Sequence, residues 1–248
     1  MDFAEKTAII TGGGKGLGRE SAELLAEHGA NVVIADINSD IAKDTERCLL
    51  ERGFSVKAVS ADVSKVSDIE IMVDATIEAF GGIDILINNA GIFHSTPIES
   101  ITEDEWDRIM AVNLKSVFFT TQKVLPYMIK QGGGKIVNLS SLSGRNGGTA
   151  NGLGYSAAKA GIVGLTRGFA YRLAKHHINV NAVAPGLTDT DILNGLPLAE
   201  KQRLSANIPL GRLGKPNEVA ACIVFLCSSE ADFITGAVLD VNGGMYYG

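Results

Sequence analysis

The 248-residue chain alternates short Val- and Ile-rich runs with longer amphipathic ones from one end to the other, and no other feature limits its fold as tightly. Strand-like runs fall at 7–11, 31–36, 55–60, 83–88, 135–140, 178–184 and 237–241. Several are almost wholly apolar, which suits strands buried on both faces. Helical patterns lie between them at 16–28, 41–52, 66–80, 103–130, 155–175 and 217–228, the last just after Pro216. Strand and helix in regular succession predict an α/β chain with a seven-stranded parallel sheet, helices on both faces and right-handed crossovers. No linker, repeat or low-complexity tract divides residues 1–248, so one domain is expected. The Gly-rich stretch 144–154 reads as a mobile loop. Residues 187–208 break the alternation and read as a substrate lid.

Bulk properties narrow the function. With 46% hydrophobic residues the chain has enough apolar material for a large core. Its net charge of −6 argues against a nucleic-acid or anionic-membrane partner. Cys48, Cys222 and Cys227 form no CxxC pair and no even framework, which predicts reduced thiols. No basic and apolar leader opens the sequence, and no run of about 18 apolar residues is present, so a cytoplasmic location is expected.

The first strand runs into Thr11-Gly12-Gly13-Gly14-Lys15-Gly16-Leu17-Gly18 and then a helix. Glycines let a backbone approach a phosphate, and a helix start offers free N–H groups and a positive dipole end. This placement predicts a doubly wound, Rossmann-like sheet with a dinucleotide at its first turn. The spacing of Gly12, Gly16 and Gly18 differs from the common G-x-G-x-x-G pattern. Asp36 ends the second strand, about 20 residues further on, where an acid accepts hydrogen bonds from ribose hydroxyls. It also repels a 2′-phosphate, by roughly 3 kcal/mol at about 5 Å and an effective dielectric near 20. Lys15 pulls the other way, but Asp36 adds hydrogen bonds to its repulsion. The expectation is NAD over NADP.

At the opposite end of the crevice come Asn88-Asn89-Ala90-Gly91, then Ser140-Ser141-Leu142-Ser143-Gly144, then Tyr155-Ser156-Ala157-Ala158-Lys159. Tyr155 and Lys159, four apart, share a helix face. A nearby cation favours the phenolate and lowers a phenol's pKa, so the pair is suited to moving a proton between an alcohol and a carbonyl near neutral pH. A serine hydroxyl beside them would steady charge on the reacting oxygen.

Taken in order, these segments resemble the short-chain dehydrogenase/reductase family along essentially the whole chain. The resemblance also rests on Asp62-Val63, Asn113, Pro185-Gly186 with Thr190, the segment 208–214, and 233–236 followed by Asn242-Gly243-Gly244. It implies an enzyme that interconverts a secondary alcohol and a ketone by hydride transfer, with Tyr155 as acid/base and Lys159 holding the nicotinamide ribose and lowering the tyrosine pKa. Ser141 would position the reacting oxygen, and Asn113 would hold a water linking Lys159 to solvent. Gly12, Lys15, Gly16, Leu17 and Gly18 would meet the NAD phosphates, Asp36 and Ile37 the ribose, and Asp62 and Val63 the adenine. Asn89, Ala90 and Gly91 would support the cofactor, with Pro185, Gly186, Thr188 and Thr190 at its nicotinamide side. No metal is implied. Ser141 stands one residue further from Tyr155 than in many members, which keeps Ser143 and Ser140 open as alternatives. Ser141 is preferred because Ser141 and Gly144 form the family's Ser-x-x-Gly.

Substrate walls are expected at 92–97, 145–153 and the lid, including His94, Arg145 and Asn151. His94 also reads as a solvated loop residue, and Trp106 as helix packing. The runner-up reading is a 3-oxoacyl-(acyl-carrier-protein) reductase using NADPH. Such members generally lack an acid at the Asp36 position and carry arginines where Gln131 and His176 stand here. A third reading is a catalytically silent NAD-binding regulator. A homotetramer is expected by analogy with the family.

Overall fold

Strand order reverses once in the sheet, between β1 and β4, and this fixes where a ligand can bind. In the computed structural model the seven strands are all parallel, in the order β3-β2-β1-β4-β5-β6-β7. They are β1 (Thr7–Thr11), β2 (Asn31–Asp36), β3 (Val56–Ser60), β4 (Ile85–Asn88), β5 (Gly134–Leu139), β6 (Ile178–Pro185) and β7 (Val238–Val241). The helices are α1 (Gly16–Glu27), α2 (Ser39–Glu51), α3 (Val66–Phe80), α4 (Glu103–Met110), α5 (Ser116–Gln131), α6 (Leu142–Asn146), α7 (Leu153–Leu173), α8 (Leu198–Ala206) and α9 (Pro216–Cys227). The described residues are 1–148, 152–190, 193 and 197–248. Asn151, and 191–192 with 194–196 of the segment read as a lid, lie outside them.

Successive strand side chains point to opposite faces, so neighbours such as Ile9 and Ile10 enter different cores. Ile10, Ile34, Ile87 and Val183 pack with Leu25 of α1, Leu49 of α2 and Ile223 of α9. Ile9, Val33, Leu86 and Val180 pack with Met72 of α3, Val124 of α5 and Ala170 of α7. This double burial is why the strands read as apolar runs in the sequence.

Four expectations need correction. The strand expected from residue 83 begins at Ile85, because the Gln131 amide takes the Ile83 backbone, accepting from its N at 3.0 Å and donating to its O at 3.3 Å. The single helix expected over 103–130 is α4 and α5 joined by a π-helical turn, Ala111–Lys115. The stretch 144–154 expected as a loop takes in the last three residues of α6 and the first two of α7. The irregular segment 187–208 contains α8.

Register sets the strand ends side by side: Thr11 is level with Ala35 and Asn88, and Asn88 with Asn138. A buried polar chain ties these ends to the helices below. Thr120 Oγ1 donates to Asn88 Oδ1 at 2.6 Å, Asn88 Nδ2 to Asn138 Oδ1 at 2.8 Å, and Asn138 Nδ2 to Thr166 Oγ1 at 3.0 Å. A buried polar group stripped of its partner costs about 1–3 kcal/mol. Thr120→Val keeps the shape and removes the hydroxyl, and is expected to lower unfolding free energy in urea by about that amount. An unchanged midpoint would show that the chain of bonds contributes nothing.

Candidate active site

The glycine turn after β1 is built for close approach. Gly12 and Gly16 hold φ of +61° and +55°, which strain other residues. A Cβ on Gly18 would sit 2.2 Å from Gly12 O and 2.5 Å from Asn89 Nδ2, so only glycine fits. Asn89 braces this turn, its Nδ2 donating to Thr11 O at 3.0 Å and Gly12 O at 2.9 Å. Thr11 Oγ1 in turn accepts from the N–H groups of Asn89 and Ala90. Thr45 Oγ1 of α2 donates to Gly14 O at 2.9 Å. Leu17 leans on the core, whereas Lys15 is exposed at the start of α1.

Asp36 stands beside this turn at the end of β2. Its Oδ2 accepts from Gly14 N at 3.1 Å and its Oδ1 from Asn38 N at 3.0 Å. Ile37 follows, exposed at the rim. Across the mouth, Val63 is buried and Asp62 Oδ1 accepts from both Ser64 N and Ser64 Oγ. Burial pushes the Asp62 carboxyl up, but the Ser64 bonds and the Arg108 guanidinium outweigh it and hold it below its ordinary value.

Below β4 and β5 the structure brings Ser141, Tyr155 and Lys159 together and sets Asn113 beside them. Lys159 is buried, and its Nζ donates to Leu139 O at 2.6 Å and lies 5.6 Å from the Tyr155 ring centre. Burial lowers its pKa to about 8. Burial pushes the Tyr155 phenol up, and a hydrogen bond with the Ser141 side chain pulls it partly back. The lowered phenol anticipated from the Tyr155–Lys159 spacing is therefore corrected in direction, because desolvation of the buried phenol dominates.

The three candidate serines have different surroundings. Ser141 caps α6, its Oγ accepting from Ser143 N at 3.1 Å, and faces Tyr155. Ser140 Oγ donates to Lys159 O at 2.9 Å, a buried tie. Ser143 is buried inside α6. Asn113 sits in the π-helical turn, an irregularity often found at functional sites. Its Nδ2 donates to Ile92 O and Ile109 O, and its Oδ1 accepts from Ile92 N. A Cβ on Gly91 would meet that Oδ1 at 2.7 Å and Lys159 Nζ at 3.6 Å, so Gly91 lets the two polar groups converge.

At the end of β6, Gly186 N donates to Val241 O at 2.9 Å, and a Cβ there would meet Asn242 Cα at 2.8 Å. Pro185 closes the strand, and Thr188 is buried where its strand bridges to Gly214. Thr190 N turns back onto Thr188 O at 2.9 Å.

Among the wall residues, Phe93 meets Tyr155 edge to face at 5.6 Å. His94 Nδ1 lies 3.8 Å from Glu105. Trp106 stands against Gly154, as expected of helix packing. Arg145 pairs with Asp240 and stacks on Tyr246. Phe93 falls in the expected wall 92–97, whereas nothing in the sequence marks Thr45 or Asp240. Among the described residues no cluster of His, Cys, Asp and Glu could hold a metal ion, and no helix is long and apolar enough to cross a membrane.

Comparison with known proteins follows the geometry. A family model described as Enoyl-(Acyl carrier protein) reductase matches residues 12–246. A 3-oxoacyl-(acyl-carrier-protein) reductase of Vibrio cholerae is 40% identical over 99% of both chains. A (2S)-((R)-hydroxy(phenyl)methyl)succinyl-CoA dehydrogenase subunit of Thauera aromatica is 40% identical over 98% of both. A cis-4-hydroxycyclohexanecarboxylate dehydrogenase of Sinomonas cyclohexanicum is 41% identical over 98% of this chain and 97% of its own. The crystal structure of gox2181 superposes with a TM-score of 0.93 at 33% identity, covering 98% of this chain and 96% of that one.

The Lys159 shift carries a pH signature. A lysine whose folded pKa is depressed binds fewer protons folded than unfolded between about 8 and its ordinary 10.5. Wild-type stability should therefore rise relative to Lys159→Met across that window, by about 3 kcal/mol in all. Paired urea titrations at several pH values test this, and a constant difference between the two proteins would refute it.

Proposed function

Because the chain belongs to the short-chain dehydrogenase/reductase family over essentially its full length, we propose that it interconverts a 3-hydroxyacyl and a 3-oxoacyl thioester with NAD(H). The convergence of Ser141, Tyr155 and Lys159 at the carboxyl ends of β4 and β5 carries the hydride-transfer reading. The thioester reading leans on the relatives. Several are 3-oxoacyl-(acyl-carrier-protein) reductases, and the Thauera enzyme takes a hydroxylated acyl-CoA. The runner-up substrate from the sequence is thus better supported than an unspecified small alcohol.

The cofactor departs from that runner-up. Asp36 is held by two backbone N–H groups next to the glycine turn, where a ribose would lie, and it favours NAD(H) over NADP(H). The residues present suit a dinucleotide: the left-handed glycines, the helix start of α1, and the open space beside Gly16, while Gly18 lets α1 pack tightly on Gly12. When bound, the nicotinamide supplies or accepts the hydride.

The chain's own residues manage the proton. Tyr155 gives its hydroxyl proton to the ketone oxygen during reduction and takes it back during oxidation. Ser141 Oγ receives an N–H from Ser143 and its O–H faces Tyr155, so an entering oxygen would take up that O–H between the two side chains. Lys159, fixed by Leu139 O, would pass a proton back to Tyr155 after reduction, and a water held at Asn113 Oδ1 would replace that proton from solvent. Phe93 closes one side of the tyrosine. Assembly as a homotetramer belongs to the same reading, through the exposed groove between Met110, Leu114, Phe118 and Leu165.

A panel of 3-hydroxyacyl and 3-oxoacyl thioesters, scored by reduced-nicotinamide absorbance, tests the reading. Tyr155→Phe should lose at least about 10²-fold in kcat while still binding NAD(H). Cofactor bound without turnover on any alcohol or ketone would favour the silent regulator. Asp36→Ser should shift the NAD-to-NADP ratio of kcat/KM toward NADP by about tenfold or more. A wild type that prefers NADP would overturn the cofactor assignment.

A further inference from the structure

The serine that faces Tyr155 caps the shortest α-helix in the described chain. α6 has five residues, and a single turn does not hold its own geometry in water. On one side Gly144 lets it lie directly on α7, since a Cβ there would stand 2.6 Å from Lys159 C. On the other side Arg145 reaches β7. Its Nε and Nη2 donate to Asp240 Oδ1 and Oδ2, both at 3.1 Å, in a two-point fork. Its guanidinium lies 5.0 Å over the Tyr246 ring, and Asn242 Nδ2 donates to Tyr246 O at 3.3 Å to fix that segment. The pair is largely out of water, with the two side chains 11% and 15% exposed.

We propose that Arg145 is the positioning residue for Ser141: its fork on Asp240 and its stack on Tyr246 fix α6 between α7 and β7 and so set the Ser141 hydroxyl against Tyr155. This rests on the reading of Ser141 and Tyr155 as the reacting pair. A buried ion pair is weak evidence for stability, since an apolar pair of the same size serves the core as well. A fork adds fixed direction and distance, which a helix this short lacks. Misplacing a group by about 1 Å costs up to roughly 10²-fold in rate. The charged group beside Tyr155 on its own helix is Lys159; from the β4–α4 segment it meets Phe93, and from α6 the neutral Ser141.

The test uses the full-length protein and the variants Arg145→Met, Arg145→Lys, Asp240→Asn, Ser141→Ala and the double variant Arg145→Met/Ser141→Ala. Arg145→Met should lower kcat by about tenfold or more, with KM for NAD(H) within about twofold of wild type. Arg145→Lys should recover part of the loss. In the Ser141→Ala background Arg145→Met should add little, because two residues acting through one contact are not additive. Tyrosinate difference titration, with Tyr155→Phe as the blank, should show the Tyr155 midpoint moving up in Arg145→Met as the Ser141 bond is lost. An unchanged kcat, or an equal loss with and without Ser141, overturns the proposal. If Arg145→Met does not fold, Asp240→Asn keeps the shape and is judged by the same criteria. The titration needs no substrate. A wild type inactive on every thioester would sink the functional reading, yet the titration would still decide whether Arg145 places Ser141.

Discussion

Side chains at three adjacent strand ends tie the parallel sheet to the turn and the helices around it. Thr11, Asn88 and Asn138 stand level across β1, β4 and β5. Thr11 Oγ1 and Asn89 Nδ2 close the glycine turn from the β4 side. Asn88 and Asn138 reach down to Thr120 and Thr166 on the helices beneath. The glycine turn and the Tyr155–Lys159 end therefore rest on neighbouring hydrogen-bonded sets carried by adjacent strands. In a low-dielectric interior such a set is rigid only when every member is satisfied.

Beside these sets the chain places a lysine that burial disfavours. An amine pulled down to about 8 is less stable in its charged form than one in water. A methionine would suit the site better near neutral pH, apart from the orphaned Leu139 carbonyl. Retaining an ammonium there is what a site needing a mobile proton requires, and strain at such positions is offset by packing elsewhere. The raised tyrosine belongs to the same environment. Burial pushes both groups toward neutrality, and the Ser141 hydrogen bond is the local force that opposes this for Tyr155.

How far the sequence could be read follows from what is local. The inner strands were legible because burial on both faces leaves an apolar run, and the more exposed edge strands β3 and β7 because they keep the regular alternation with helices. The break at Ala111–Lys115 was not, since the apolar period runs through it and only the backbone bonding changes. α6 was not, because Gly144 and Asn146 suggest a loop and its helix depends on α7 and β7. Tyr155 and Lys159 could be paired by their four-residue spacing, but Ser141 stood out from Ser140 and Ser143 only through the family's Ser-x-x-Gly. The direction of the tyrosine shift was not legible, because it is set by burial. Arg145 and Asp240 are 95 residues apart, and only the β6–β7 pairing brings them together.

The same distinction between local and tertiary features bears on the opposing charges at the adenosine end. Asp36 and Lys15 looked nearly balanced as letters. In space Asp36 is clamped by Gly14 N and Asn38 N, so its lone pairs are aimed before any ligand arrives. Lys15 is an exposed side chain on a flexible stem, and it must lose rotamer freedom, up to about 2 kcal/mol, to hold a phosphate. Solvent also screens it more than the partly buried carboxylate. A preorganised group acts at full strength from the start, whereas a mobile one first has to be ordered. Between two unit charges of opposite preference, that asymmetry is the physical ground on which NAD(H) is proposed over NADP(H).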